Sequence, residues 1–368
     1  MKPIRVLQVV GNMGAGGMET LIMNWYRKMD RNVIQFDFLV HSSKEGFYEK
    51  EIKQLGGKVY HFTILDDKNY FKYKDDLKKF FYEHKEYKVV HGHHIAFGPT
   101  YLKMAQRAGI PCRISHAHTA SYSKSVRGYV KYIISRFFGK FANYHFACSD
   151  AAGKYMYGNK SEYTIINNGI DVNKFAYRKD IRIMKRKEMD VIDNYVILHV
   201  GRFSEVKNHV FLIEIFKKLH EIKPESILWL VGVGPLKASI EKKVSEYGLM
   251  DFVKFLNNRD DVNELLCAAD IFIFPSLYEG LPLTLVEAQT SGLPIICSDT
   301  ITKETKLTDD YYEVKLNGGV ECWINEINEK IRNNERCFAY RKIKEAGYDN
   351  EDVVKKMMKF YLDRYNEI

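Results

Sequence analysis

Short apolar segments alternate with segments of helical spacing along most of this chain. The first segment, Ile4–Val10, is apolar almost throughout, as expected for a parallel strand that is buried on both faces. A second strand–helix series begins at Tyr195. This alternation predicts parallel α/β sheets covered by helices on both sides, with ligands bound beyond the carboxyl ends of the strands. The other strands predicted before residue 170 are Val33–Val40, Lys58–Phe62, Lys88–His93, Cys112–His116 and Tyr144–Cys148.

Length and composition favour two ordinary globular domains. The chain has 368 residues, of which 46% are hydrophobic and 28% charged. Its six cysteines form no CxxC pair and lie mostly in apolar segments, which is typical of buried thiols in a reducing compartment. The first residues lead directly into a strand, and no apolar run approaches 18 residues. We therefore expect a cytoplasmic protein that does not span a membrane.

Charge is distributed unevenly along the chain. Residues 1–172 contain 26 lysines and arginines against 15 acidic residues, whereas the remainder contains 30 against 32. A positive half joined to a nearly neutral half indicates that one domain faces an anionic partner. Nucleic acid and an anionic membrane surface both fit this charge, but the chain has no recognised nucleic-acid-binding module. We therefore expect no nucleic-acid partner.

The segment 274–299 combines two acidic residues with a helix start. A buried strand breaks into a Glu-Gly turn, a helix is predicted from Pro282, and the chain leaves through Gly292 into another strand. Such a helix start offers free N–H groups to an anion. Glu279 precedes the helix and Glu287 lies two turns into it, so both can face one cleft. Since carboxylates accept hydrogen bonds, the pair favours sugar hydroxyls as ligands, although a capping acid and a solvated acid would give the same residues.

Two further loops lie at predicted strand ends. The glycine-rich loop Gly11–Gly17 joins the first strand to a helix and allows close approach to a phosphate, but the acidic residue of a dinucleotide fingerprint is missing at the usual place. Arg202 and Lys207 follow the strand that ends at Gly201 and precede a helix near Asn208. They can serve as a diphosphate clamp in place of a metal or as ordinary surface charge.

Two histidine pairs also fall at strand ends. His91 and His93 end one strand, and His116 and His118 end the next. Histidines satisfied by backbone groups are the ordinary interpretation. A metal site is the alternative, but no acidic or cysteine ligand stands nearby at matching spacing, and the chain has no D-x-D motif at a strand end. The sequence therefore predicts no metal.

The segment 122–141 is both basic and amphipathic. It contains no acidic residue, and its aromatic and aliphatic residues recur at helical spacing. A helix of this kind lies in a membrane interface, although packing against a sheet with a cationic outer face gives the same pattern. A second helix rich in Lys, Tyr and Phe is predicted at Tyr70–Tyr87. The five basic residues of segment 122–141 are Lys124, Arg127, Lys131, Arg136 and Lys140.

These motifs resemble one enzyme family. Glu279 and Glu287 match the E-x7-E motif of retaining glycosyltransferases of family 4. The sequence around them is similar to that of the branch that builds bacterial capsules and exopolysaccharides. The chain has Glu279-Gly-Leu-Pro282 where common members have EGFG. The resemblance covers nearly the whole chain and includes GGxE at residues 16–19, NGID at 168–171, GR…KN at 201–208 and GxGP at 232–235.

The resemblance implies the GT-B fold, with two Rossmann-like, doubly wound parallel-sheet domains facing across a cleft. It divides the chain into an acceptor-binding domain at 1–172, a linker at 173–194 and a nucleotide-sugar-binding domain at 195–348. The final helix, within 349–368, then packs back on the first domain.

The resemblance also implies roles for individual residues. Arg202 and Lys207 hold the diphosphate, Glu287 accepts from the ribose hydroxyls, and Glu279 lies near the donor sugar. A strand-end histidine approaches that sugar; His118 is favoured because it lies further out of the strand, and His116 is the alternative. The remaining donor-binding residues implied are Gly16, Gly17, Gly201, Gly232, Leu256, Asn257, Gly280, Leu283 and Thr284.

The implied activity is metal-independent transfer of a hexose or N-acetylhexosamine, with retention of configuration. The donor is expected to be a UDP-sugar, and the acceptor a saccharide that is lipid-linked at the inner face of the plasma membrane. Two alternatives share the architecture: a nucleotide-sugar epimerase, and a dinucleotide-binding enzyme or module. The dinucleotide-binding enzyme or module does not require the set Arg202, Lys207, Glu279 and Glu287 together, and the epimerase would not require a lipid-facing basic helix.

Overall fold

The computed structural model describes residues 2–62, 69–118, 133, 136–331, 336 and 339–367. The chain folds into two compact units. The first contains Met1–Gly169 together with Asn350–Ile368, and the second contains Ile170–Asp349. The first segment of the first unit therefore ends three residues earlier than predicted, and the second unit ends one residue later but begins at residue 170 where residue 195 was predicted.

The first unit is built on a seven-stranded sheet. All of its paired strands are parallel, in the order β3-β2-β1-β4-β5-β6-β7. The strand order reverses between β1 and β4, which makes their carboxyl ends the expected ligand-binding edge. The strands are β1 Ile4–Val10, β2 Ile34–Val40, β3 Val59–His61, β4 Val89–Gly92, β5 Cys112–Ala117, β6 Tyr144–Ala147 and β7 Thr164–Ile165.

Helices cover this sheet on both faces, and each face has its own buried core. The last helix of the chain belongs to this unit: Val353, Val354, Met357 and Tyr361 are buried in the same cluster as Trp25. The described helices are α1 Gly17–Lys28, α2 Glu49–Gln54, α3 Tyr70–Glu83, α4 Gly98–Arg107, α5 Asp150–Tyr157 and the last helix, Asn350–Asn366, with a short 3₁₀ helix at Phe138–Phe141.

The second unit repeats the design with six parallel strands in the order β10-β9-β8-β11-β12-β13. Here the order reverses between β8 and β11. The strands are β8 Tyr195–Val200, β9 Ser226–Val231, β10 Val253–Asn257, β11 Ile271–Phe274, β12 Ile295–Ser298 and β13 Tyr311–Val314. The helices are α6 Val172–Phe175, α7 Lys179–Glu188, α8 His209–Ile222, α9 Lys237–Glu246, α10 Val262–Ala268, α11 Leu283–Thr290, α12 Gly319–Ile331 and α13 Tyr340–Glu345.

The segment 173–194, expected to be a linker, contains most of α6 and all of α7, and both belong to the second unit. Arg182 and Arg186 of α7 pair with the buried carboxylate of Asp270, which also accepts a hydrogen bond from the Val196 N–H at 2.8 Å. Lys185 lies 2.8 Å from Asp261. The basic residues that suggested a solvated linker are therefore partners of acidic residues in the folded unit.

The proposed membrane helix at 122–141 falls largely outside the described residues, so its conformation is not part of the structure described. Within that segment, Phe138 is buried and Phe137 is half exposed. No helix among the described residues is long and apolar enough to cross a bilayer.

Candidate active site

The loops after β8 and β11 meet in the second unit, where the strand order reverses. The N–H of Leu277 donates to the carbonyl of Val206 at 2.8 Å, which ties the two loops together. This contact brings the ammonium of Lys207 within 2.7 Å of Glu279 Oε1. The same ammonium lies 4.4 Å from the centroid of the Phe274 ring. The structure thus joins two residues that the sequence analysis assigned separately to the donor.

The contact between Lys207 and Glu279 is an ion pair without the alignment of a hydrogen bond. Both side chains are 17% exposed, and Glu279 Oε1 is buried without a hydrogen-bond donor. A charge pair in partly dry surroundings interacts more strongly than one in water, yet the carboxylate keeps unused acceptor capacity. The site is therefore charged, partly desolvated and incompletely hydrogen-bonded before any ligand enters.

The loop after β8 needs its glycine for space. A Cβ atom at Gly201 would lie 3.1 Å from Lys207 Cδ and 3.0 Å from His199 Nε2. Arg202 is exposed, and no carboxylate of a described residue forms an ion pair with it. Arg202 and Lys207 thus supply one open and one partly enclosed cation to the same loop.

The helix after Glu279 begins at Leu283, one residue later than the sequence predicts, and Pro282 is its N-cap. No side chain caps it, and the hydroxyl of Thr284 is buried without a partner. Glu287, one turn further on, is partly buried, and its pKa is raised to about 7 by burial, against the opposing charge of Lys174. The helix start therefore offers donors, while Glu287 is a carboxylate that gains from new hydrogen-bond donors.

Gly232 and Asn257 have structural roles at the same edge of the second sheet. Gly232 has φ 139°, and a Cβ atom there would lie 2.2 Å from the carbonyl oxygen of Gly201. Its N–H donates to the Asn257 carbonyl at 2.8 Å, while the Asn257 side chain accepts from Lys237 Nζ at 2.7 Å. An irregularity in register leaves Leu256 outside the ladder between β10 and β9. Leu256 therefore has no partner residue on β9 at this strand end.

In the first unit, the glycine loop leads into α1 at the carboxyl end of β1. Gly16 is the N-cap of α1, and a Cβ atom there would lie 2.3 Å from a carboxylate oxygen of Glu19. A Cβ atom at Gly17 would meet nothing within 4 Å. Burial raises the pKa of Glu19 above its ordinary value. Gly17 therefore borders open space, whereas Gly16 is constrained by its neighbour.

Four histidines form one buried array at the ends of β4 and β5. His91 Nε2 lies 3.1 Å from His116 Nδ1, and His93 Nδ1 lies 2.7 Å from His118 Nε2. The rings of His116 and His118 stack with centroids 4.2 Å apart. The sequence interpretation of histidines held by backbone groups is therefore wrong for these four, because their partners are side chains. His118 is the one partly exposed member, in keeping with its predicted position further out of the strand.

Two partners of this array were missed from the sequence. Tyr361 of the last helix places its hydroxyl 2.6 Å from His91 Nδ1, and Gln8 of β1 places Oε1 2.9 Å from His93 Nε2. Tyr361 is 270 residues from its partner, so no local pattern could reveal the contact. Gln8 gave a usable signal, since it is a polar residue inside an otherwise apolar strand.

His209 was also missed, although it directly follows the clamp loop. Its ring stacks on Phe203 with centroids 4.2 Å apart, and neither ring nitrogen has a hydrogen-bond partner among the described residues. Burial and the neighbouring Lys207 lower its pKa to about 4. A neutral ring therefore packs below the loop that carries the two cations.

Comparison with known proteins gives one family match in each of the two units. Residues 15–174 match the family described as Glycosyltransferase Family 4, and residues 180–347 match the family described as Glycosyl transferases group 1. The chain is 32% identical over 369 residues to EpsF of Bacillus subtilis, by name a glycosyltransferase, covering 97% of this chain and 96% of that one. The chain belongs to the family 4 glycosyltransferases and is a transferase enzyme.

Two further relatives carry more specific names. One is an Escherichia coli UDP-Gal:alpha-D-GlcNAc-diphosphoundecaprenol alpha-1,3-galactosyltransferase, 27% identical over 256 residues and 66% of each chain. The other is CapH, a capsular polysaccharide biosynthesis glycosyltransferase of Staphylococcus aureus, 25% identical over 84% of this chain and 85% of that one.

Solved structures agree on the fold. HepE of Anabaena, crystallised with UDP, superposes with a TM-score of 0.79 at 18% identity, covering 99% of this chain and all of that one. The fold is GT-B, as the sequence analysis predicted.

Proposed function

We propose that this enzyme transfers a hexose or N-acetylhexosamine from a UDP-sugar to a lipid-linked saccharide in capsule or exopolysaccharide synthesis, with retention of configuration and without a metal. The observation that carries the proposal is the position of Lys207, held between the carboxylate of Glu279 and the ring of Phe274 at the strand-order reversal.

The proposed diphosphate site combines two cations with a helix start. Arg202 and Lys207 lie on one loop, and the uncapped start of α11 adds free N–H groups and the buried Thr284 hydroxyl. Two cations and a helix start together neutralise a leaving diphosphate, which is the task a metal performs in other transferases. Chemistry without a metal follows from this set of donors.

The sugar site contains two carboxylates. Glu279 is paired with Lys207 but makes no aligned hydrogen bond through Oε1, and Glu287 has a raised pKa in the free protein. Ribose and hexose hydroxyls can donate hydrogen bonds to both carboxylates. We assign the ribose to Glu287 and the donor sugar to Glu279, in keeping with the order of the two residues along the loop and helix.

The reaction follows from these positions. The bond between the anomeric carbon and the β-phosphate oxygen breaks, the acceptor oxygen forms its bond on the same face, and the acceptor proton passes to the departing phosphate. The negative charge that builds on the diphosphate is stabilised by Lys207, Arg202 and the helix start. Glu279 is already paired with a cation, so we assign it to binding of the sugar and not to covalent attack.

UDP and the pathway are supported by relatives. HepE was crystallised with UDP, the Escherichia coli relative is named for UDP-Gal and a diphosphoundecaprenol acceptor, and CapH is named for capsule synthesis. A lipid-linked acceptor also agrees with the basic first unit. There, α3 exposes Phe71 and Tyr82, each 74% exposed, and the charged residues that line a groove of about 640 Å³ beside it are four basic and one acidic: Lys78, Lys79, Lys85, Arg107 and Asp75. We therefore propose peripheral binding to an anionic membrane.

The test is a donor panel in EDTA. Purified protein is incubated with UDP-, GDP- and ADP-sugars, and donor hydrolysis and transfer to a diphospholipid-linked N-acetylglucosamine acceptor are followed by mass spectrometry. We expect turnover with the UDP series alone, unchanged by EDTA, and a product with the donor's anomeric configuration by NMR. Inversion, a requirement for added metal, or turnover only with another nucleotide would each overturn the corresponding part of the proposal.

A further inference from the structure

The four-histidine array is one connected hydrogen-bond network with two unsatisfied ends. Tyr361 and Gln8 lie at its centre, with Gln8 Nε2 3.5 Å from the Tyr361 hydroxyl, at the long end of hydrogen-bond range. One branch runs from Tyr361 through His91 to His116, and the other from Gln8 through His93 to His118. His116 Nε2 and His118 Nδ1 end the branches, and both are buried without a hydrogen-bond partner among the described residues.

With the contact between Gln8 and Tyr361 taken as a hydrogen bond, the pairing rules allow two proton arrangements. In the first, Gln8 Nε2 donates to the Tyr361 oxygen, whose hydroxyl donates to His91 Nδ1, and Gln8 Oε1 accepts from His93 Nε2. Every histidine then carries its proton on Nε2. In the second, the Gln8 amide is turned over, each donor becomes an acceptor, and every histidine carries its proton on Nδ1. The ring nitrogen separations are the same in both.

Both arrangements give the two ends opposite character. In the first, His116 Nε2 is a donor and His118 Nδ1 an acceptor, and in the second these roles exchange. Each arrangement requires neutral rings. Burial lowers the pKa of His91, His93 and His116 well below the ordinary value, and that of His118 to about 3. The network therefore holds one proton per ring at neutral pH.

We propose that Gln8 and Tyr361 are positioning residues: they couple the four histidines so that all share one tautomer, and so that His116 and His118 always present one donor and one acceptor. The proton order is a property of the free protein.

A three-histidine metal centre is the competing arrangement. Ligand nitrogens of His91, His93 and His116 lie within 4.8 Å of one another. Binding a metal would require a lone pair from each ring at one point. His91 Nε2 and His116 Nδ1 are already within hydrogen-bond distance, so one of them must carry a proton in the array.

The experiment is a two-bond ¹⁵N–¹H correlation spectrum of histidine-labelled, ligand-free protein at pH 7, which distinguishes Nδ1–H from Nε2–H. Single histidine substitutions assign the signals. We expect His91, His93, His116 and His118 to be neutral and to share one tautomer. Tyr361→Phe should remove that order from His91 and His116, which would then show averaged nitrogen shifts. His93 and His118 should lose theirs as well, because the Gln8 amide then has no second partner that fixes which way it is turned.

Tyr26→Phe is the matched control, because the buried Tyr26 hydroxyl donates to the Leu55 carbonyl at 3.3 Å outside the array. It should leave all four tautomers unchanged. Different tautomers among the four rings, or an imidazolium, in the wild type would overturn the proposal, and the wild-type spectrum decides this even if Tyr361→Phe fails to fold. A cobalt(II) absorption band that His116→Gln abolishes would overturn it in favour of the metal centre. Transferase activity enters none of these outcomes.

Discussion

The ammonium of Lys207 lies 2.7 Å from Glu279 Oε1, close enough for an ion pair and out of line for a hydrogen bond. In the free enzyme the Glu279 carboxylate is therefore paired with Lys207, the cation that we assign to the diphosphate. When the diphosphate arrives, Lys207 gains a second anion, and Glu279 is left with capacity to accept from the donor sugar.

The first prediction separates these two roles. Lys207→Ala should weaken UDP binding and lower transfer about a hundredfold, because it removes a fixed cation from the leaving group. Glu279→Gln should keep UDP affinity within about threefold of the wild type, since the cation remains, while transfer falls strongly. Titration calorimetry with UDP and initial rates measure the two effects. Lys242→Ala, on an exposed helix surface, is the control. Equal losses of UDP affinity in both site variants would contradict the assignment.

The second prediction concerns glycines that border open space. Gly17→Ala and Gly280→Ala place a methyl group where no protein atom lies within 4 Å, so the melting temperature should change little. Transfer should fall if donor or acceptor occupies that space. Gly232→Ala should instead destabilise the second unit by several kcal/mol, because φ is 139° and Gly201 blocks the methyl group. Thermal unfolding and rates distinguish the two classes, and full activity of Gly17→Ala would exclude a ligand there.

The third prediction is a pH dependence from Glu287. Its pKa is about 7 in the folded protein against an ordinary 4.5, so folding favours the protonated form. The contribution of this group to stability is present below pH 4.5 and is lost as the pH rises to about 7. Ribose binding needs the ionised carboxylate of Glu287, so UDP affinity should rise as the pH increases toward and past about 7.

Glu287→Gln is the comparison for both effects, because the titration of UDP itself is common to the two proteins. The variant should lose the rise in affinity and should be relatively more stable than the wild type at pH 8 than at pH 5. Calorimetry and urea unfolding measure these differences. Parallel pH profiles for wild type and variant would contradict a role for Glu287.

A fourth prediction concerns the ion pairs that attach α7 to the second unit. Asp270→Asn leaves Arg182 and Arg186 without their buried carboxylate, so unfolding of the second unit should cost about 3–5 kcal/mol less. Asp251→Asn, at an exposed position, should have almost no effect. Urea unfolding of the two variants checks this. Equal stabilities would mean that α7 packs without its ion pairs.

The fifth prediction concerns the membrane. Vesicles containing phosphatidylglycerol should sediment the protein at low salt and release it at high salt, because screening weakens attraction between charged surfaces. Replacing Phe71 and Tyr82 by serine should weaken binding, whereas Ile222→Ser in the second unit should not. Equal binding to neutral phosphatidylcholine vesicles would argue against recognition of anionic lipid.

Much of the site could be predicted because its determinants are local. A strand end, a glycine loop and two acids spaced by helical turns all lie within short stretches, and each appears in the structure near its expected position. The reversal of strand order then brings the Lys207 and Glu279 loops together. This juxtaposition is tertiary, so the ion pair between them could not be derived from spacing.

Two features depended on distant partners and were missed. The basic residues of α7 resemble a solvated linker until Asp270 is placed against them. The histidines at the ends of β4 and β5 cannot be assigned partners until Tyr361 arrives from the last helix. In both cases polarity was correctly recognised, but its satisfaction depends on residues more than 80 positions away.

The first unit is made from both ends of the chain, whereas the second is continuous. During synthesis, residues 170–349 leave the ribosome as a complete folding unit, while the sheet of the first unit still lacks its final helix. Val353, Met357 and Tyr361 are translated only after the whole second unit, and they fill the core beside Trp25. The strands made first must therefore wait, with that face exposed, until the second unit has been translated, which makes this face the one most in need of protection by chaperones.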